Sequence, residues 1–176
     1  MTNSNPEFSK IIKLSDIGDV PLRGNIVADA DQCEALAKRF GIPSIQNLHA
    51  EYDLDGSGER IDFTGTLQSV LMQNCAISGE EFPVTVSEEF KITFVEKAEE
   101  LENQEEIELE SDDCDLIEFE NARIDIGEAI AQTLYLALEP YPRGPNAEAA
   151  IKASGLKSEE EAGPFGALAA LKDKLG

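Results

Sequence analysis

The chain is 176 residues long and 41% hydrophobic, enough for one compact domain with a core of ordinary size, and it has no apolar run of bilayer length. A formal net charge of -22, from 36 acidic and 14 basic residues, opposes a phosphate backbone, which is gripped through Lys and Arg, and favours basic protein partners. Cys33, Cys75 and Cys114 are odd in number and widely spaced, which fits reduced thiols better than a disulfide framework, and the N-terminus lacks the basic-then-apolar layout of a secretion signal, so a cytoplasmic protein is expected.

The first segment, FSKIIKLSDIGDVPLRGNIVAD, has short apolar groups separated by Gly18, Pro21 and Gly24, which predicts two strands joined by turns. DADQCEALAKRFGIP then places Cys33, Leu36, Ala37 and Phe40 on one helical face and stops at Gly41 and Pro43. Cys33 on that stripe reads as a packing residue. The one histidine, His49, just precedes a strand and reads as a surface residue. Asp53, Asp55, Ser57 and Glu59 alternate somewhat as in a calcium loop, but Thr64 stands where the twelfth-position glutamate is required. Two long strands follow. Ile61, Phe63, Leu67 and Leu71 share a face of the first, and Phe82, Val84, Val86, Phe90, Ile92 and Phe94 share a face of the second. The short connection NCAISGEE makes them a hairpin with Cys75 near its tip, and Gly65 or Glu88, which interrupt the apolar rows, are the expected places for a bulge.

Between Glu96 and Glu120 thirteen acidic residues stand against one basic residue, Lys97, a net of -12. KAEELENQEEIELESDD is too polar to bury and reads as a mobile acidic arm, while Ile107 with Leu109, and Ile117 with Phe119, suit short edge strands. DIGEAIAQTLYLALEPYPRGP then reads as a central helix. Asp125 caps it, Glu128 answers in the manner of a capping box, and Ile126, Ile130, Leu134 and Leu138 form its apolar row. Pro140, Pro142 and Pro145 end the helix and leave a stiff loop carrying Tyr141 and Arg143.

Three pieces of this sequence, in the same order, resemble the YceD family: QNCAISGEEFPVTVSEEF from Gln73 to Phe90, IDIGEAIAQTLYLALEPYPRGP, and GPFGALAALKDKLG. That family is associated with accumulation of large-subunit ribosomal RNA in bacteria, so the resemblance implies a part in biogenesis of the large ribosomal subunit. Many members have two Cys-x-x-Cys pairs. Here Cys75 stands where the first pair begins, Ser78 stands in place of its partner, and the YPRGP segment has no cysteine. A tetrahedral zinc site needs four N or S ligands, and the sequence offers at most Cys75, Cys114 and His49, so no metal and no cofactor is expected.

The expected architecture is α+β: an antiparallel sheet of about five to seven strands packed against two or three helices within residues 1–145. An acidic mobile segment lies near 96–115, a flexible tether over 146–163, and a short amphipathic helix over 164–176. No nucleophile elbow, Walker loop, dinucleotide fingerprint or His-Glu-x-x-His is present, which predicts a protein that is not an enzyme. The reading is a non-enzymatic factor that holds a basic ribosomal protein or assembly factor through its acidic segment and through Tyr141, Pro142 and Arg143, with Cys75 beside them. Two alternatives compete with it: direct RNA binding by Arg143 and the N-terminal cations, and an enzyme of unrecognised type.

Overall fold

Long alternations of apolar and polar residues build the sheet of this protein. The computed structural model describes residues 7–18, 20–58, 60–97 and 115–154. Its elements are β1 (Ile11–Lys13), a single helical turn (Leu14–Asp16), β2 (Leu22–Val27), α1 (Ala30–Phe40), β3 (Ser44–Ser57), β4 (Arg60–Asn74), β5 (Glu81–Glu96), β6 (Asp115–Phe119), β7 (Arg123–Asp125), α2 (Ile126–Ala137) and α3 (Ala147–Ala153). Five strands lie in the order β2-β3-β4-β5-β6, and β1 pairs with β7 in a separate two-stranded ribbon. The α+β class holds, with seven strands among the described residues. One pairing departs from an antiparallel sheet, because β6 runs parallel to β5. Parallel neighbours need a return connection of about a dozen residues or more, and the interval between Glu96 and Asp115 is long enough to supply it. Ile117 and Phe119 lie on β6, whereas Ile107, Leu109 and the expected acidic arm fall outside the described residues.

The chain forms two compact units. One comprises residues up to Gln73 together with Pro83–Pro140. The other comprises Asn74–Phe82 and, among the described residues, 141–154. The first unit holds most of the buried core. Ile61, Phe63, Leu67 and Leu71 are buried along β4, as their spacing requires, and the Phe63 ring packs between Tyr52, Phe90 and Phe94 at centroid separations of 5.8, 4.8 and 5.8 Å. Tyr52 lies opposite Gly24 on β2 and Gly65 on β4. Gly65 shows no bulge toward β3, where its pairing is regular, and a Cβ there would meet the Glu51 carbonyl oxygen and come within 2.7 Å of Phe90 Cζ, so the missing side chain makes room for partner backbone and an aromatic ring. The register shift between β3 and β4 sits instead between Ile45 and Asn47. There the Asn47 Oδ1 accepts from the Val70 N–H at 3.0 Å and the Ser69 hydroxyl donates to the Asn47 carbonyl at 2.8 Å, which restores partners to the interrupted ladder.

α1 starts in a full capping box between Asp29 and Gln32 and stops at Gly41, whose φ of 69° is the left-handed conformation that favours glycine. Cys33 is buried on its inner face with Leu36 and Ala37, and burial pushes its thiol pKa up. α2 buries Ile126, Ala129, Ile130 and Leu134. Asp125 caps it by accepting from the Gly127 and Glu128 N–H groups. Glu128 does not complete a capping box, because its carboxylate turns to the Arg39 guanidinium of α1 at 2.6 and 2.8 Å. Residues placed in a tether from 146 onward begin with α3, and the segment 155–176 falls outside the described residues.

Candidate interaction site at the hairpin tip

The second unit brings together residues that the sequence reading singled out. After β4 the chain turns through Cys75–Glu80. The Cys75 N–H donates to the Glu80 carbonyl at 2.8 Å, the Gly79 N–H donates to the Cys75 carbonyl at 2.8 Å, and Gly79 takes a φ of 73°. Against this tip lies the YPRGP loop. The Ala76 N–H donates to the Pro142 carbonyl at 2.8 Å, and the Asn146 side chain donates to Glu80 at 3.0 Å. Gly144 closes the contact: a Cβ at that position would stand 2.9 Å from Phe82 Cδ1 and 3.3 Å from Cys75 Cβ. Tip and loop are thus joined mainly through backbone, which is why residue types alone did not reveal Gly144 or Asn146 as parts of it.

The sulfur of Cys75 is buried in this turn and accepts from the Ser78 N–H at 3.4 Å. Hydrogen bonding by Ser78, through its hydroxyl and its N–H, with further N–H groups of Gly144 and Ile77, holds the thiol pKa down to about 7. Of the four residues named as contacts, Tyr141 and Arg143 face solvent, with Tyr141 77% exposed. Pro142 is half-buried and contributes its carbonyl to the tip, and Cys75 lies inside it. The loop therefore presents one aromatic and one guanidinium.

The turn does not suit zinc. Ser78 offers a hydroxyl where a second thiolate would serve, and Gly144 in the facing loop has no side chain at all. Among the described residues, no group of three His, Cys, Asp or Glu side chains is placed to hold a metal ion. Cys114 lies outside the described residues, and His49 is half-buried on β3, where it pairs with Val27 and Gln68. At the suspected calcium loop, Asp53 binds Arg23 at 2.6 Å and Asp55 stands opposite Asp62 across the strand pair.

The first unit carries a groove of about 510 Å³ across β2, β3 and β4, lined by Arg23, Asn25, Glu51, Asp53 and Thr66 around Tyr52. Its cation, Arg23, is engaged by the Asp53 carboxylate of the same groove. Among the described residues no helix is long and apolar enough to cross a membrane.

A family model described as "Large ribosomal RNA subunit accumulation protein YceD" matches residues 63–172, from within β4 to near the C-terminus. No curated protein and no solved structure matches the chain. With more than half of its length under that match, including the hairpin tip, the YPRGP loop and α2, the chain belongs to the YceD family, whose name assigns it a part in the accumulation of large-subunit ribosomal RNA.

Proposed function

We propose that this protein acts in the cytoplasm as a non-enzymatic factor in biogenesis of the large ribosomal subunit, holding a basic ribosomal protein or assembly factor and raising ribosomal RNA levels indirectly. The observation that carries the reading is charge. A net -22 is joined to a fold in which four of the described cations stand beside carboxylates, while Lys13 and Arg123 face each other across β1 and β7. Arg23 binds Asp53, Arg39 binds Glu128 and Glu7, Arg60 approaches Asp62, and Lys97 binds Glu120. Lys10 sits over the Tyr52 ring at 5.2 Å and donates to the Asn25 carbonyl. Such local neutralisation weakens what these side chains can offer a phosphate chain. Exposed Tyr141 and Arg143 supply a contact of the kind enriched at protein interfaces.

Affinity capture of the tagged protein from growing cells, with and without ribonuclease, tests the reading. Basic ribosomal proteins retained after ribonuclease support it. Their loss on digestion, together with binding of purified ribosomal RNA that falls steeply with salt, supports direct RNA contact instead. Depletion that leaves large-subunit RNA and its precursor particles unchanged refutes both.

A further inference from the structure

The helix α2 has a second face that the buried row does not account for. Ile126, Ile130 and Leu134 point into the core, yet the helix also carries Tyr135 and Leu136, 54% and 76% exposed. Tyr135 is not loose, because its ring packs on Phe40 of α1 with centroids 5.2 Å apart. Leu136 forms a ridge between two grooves. On one side a groove of about 280 Å³ is lined by Arg39, Phe40, Gln132, Tyr135 and Leu136. On the other, one of about 340 Å³ runs between α2 and the strands β5 and β6, with Leu136 and Ala137 on its helical wall. The far rim of that second groove carries Glu88, Glu89 and Asp115 against the single cation Lys91.

We propose that this face receives an amphipathic helix of a cationic polypeptide, its apolar side straddling Leu136 and its Lys or Arg side chains meeting Glu88, Glu89 and Asp115. The apolar ridge flanked by grooves is the form in which helices are bound by their i, i+3, i+4 and i+7 side chains. The sign of the rim selects the charge of the occupant. A second copy of the chain would bring the same carboxylates face to face, and a nucleic acid would bring phosphates to them, so both are disfavoured. The inference rests on the proposed function in taking the partner to be basic protein, and it adds the surface and the shape of what binds.

A labelled peptide of lysine and leucine in amphipathic helical spacing is the probe, with a peptide of the same composition in scrambled order as control. The full chain is expected to bind the helical peptide at least about tenfold more tightly than the scrambled one, since anchoring side chains carry most interface energy. Leu136→Asp, at a position exposed enough to leave the fold intact by circular dichroism, is expected to erase that difference. Glu88→Lys with Glu89→Lys is expected to weaken binding and flatten its dependence on salt. Equal binding of the two peptides, unchanged binding by Leu136→Asp, or sedimentation showing that Leu136→Asp abolishes a dimer would overturn the proposal. In depleted cells, a Leu136→Asp chain that restores ribosomal RNA as fully as the wild type would overturn it while leaving the proposed function standing. Depletion without effect on that RNA strikes the proposed function alone, and the peptide result is read independently of it.

Discussion

The Ser9 hydroxyl donates to Asp125 Oδ2 at 2.5 Å, across a separation of 116 residues in sequence. The other oxygen of the same carboxylate accepts from the Lys10 N–H at 2.9 Å and from the Gly127 and Glu128 N–H groups at 3.1 and 3.2 Å. One side chain thus caps α2 and ties the N-terminal segment to it, while the Ile126 N–H donates to the Lys10 carbonyl alongside. Asp125→Ala removes the acceptor from four donors at once. It is expected to cost roughly 2–4 kcal/mol, more than a cap alone, by urea denaturation. Ser9→Ala is expected to cost about 1 kcal/mol.

Gly127→Ala inverts the usual rule. Alanine in a helix is ordinarily favoured over glycine by about 1 kcal/mol. Here a Cβ would lie 2.7 Å from the Lys10 nitrogen, 2.8 Å from the Phe8 carbonyl oxygen and 2.9 Å from the Ser9 carbonyl carbon, all backbone atoms that cannot swing aside. Destabilisation by roughly 1–3 kcal/mol is expected, and a midpoint equal to or above that of the wild type would contradict the close approach.

The Arg39 guanidinium holds the Glu128 carboxyl below its ordinary pKa. A carboxylate depressed in the folded state contributes stability above its unfolded value, and that contribution is lost as the pH falls through the folded value. Glu128→Gln is therefore expected to be less stable than the wild type at neutral pH by about 1 kcal/mol, in keeping with a partly exposed pair. The gap should close in acid, once Glu128 of the wild type is protonated. A gap that persists unchanged into acid would assign the loss to packing instead.

For Cys75 the direction is the same and the range is higher. Its thiol is held down to about 7, so the Ser78 hydroxyl and the N–H groups around the sulfur stabilise the fold above the ordinary thiol value and lose that effect as the pH falls through about 7. Cys75→Ser is expected to destabilise more at about pH 9 than at about pH 6, measured as the shift in urea midpoint against the wild type. An equal shift at both pH values would remove the thiolate from the account.

The misfit of the hairpin tip to zinc has its own check. Treatment with a chelator is expected to leave the thermal transition of the purified protein where it was. A fall in that transition, reversed by zinc, would show that ligands come together that the described residues do not supply.

Much of the sheet was legible because period-two burial leaves a mark that nothing else mimics: the row ending at Leu71 is buried as read, and the row ending at Phe94 is buried from Val86 on, with Phe82 and Val84 half-buried. The end of α1 was legible for a similar reason, since Gly41 and Pro43 follow directly on an apolar stripe. Glu128 was misassigned because a capping box and an ion pair ask for the same residue, and only the fold brings Arg39 within reach. Gly65 was ambiguous in the same way: a glycine in a strand signals either a bulge or a close neighbour, and its neighbours, the Glu51 carbonyl and the Phe90 ring, lie on other strands. The parallel pairing of β6 left no local trace, because pairing direction is set by where a connection ends and not by strand composition. At the candidate site, Tyr141 and Arg143 could be read as exposed from the prolines around them, whereas the joining of Pro142 to Ala76 runs through backbone atoms that every residue type shares.

That parallel pairing separates two properties of the acidic stretch between β5 and β6. Topology demands only enough chain to travel back along a strand before Asp115 can meet Ile92, so a Gly/Ser insert of equal residue number would keep the register while stripping away the carboxylates. Trimming it to a tight turn would instead drive β6 to enter from the opposite end, placing Asp115 where Phe119 now lies beside Glu96. Span and charge can thus be edited one at a time.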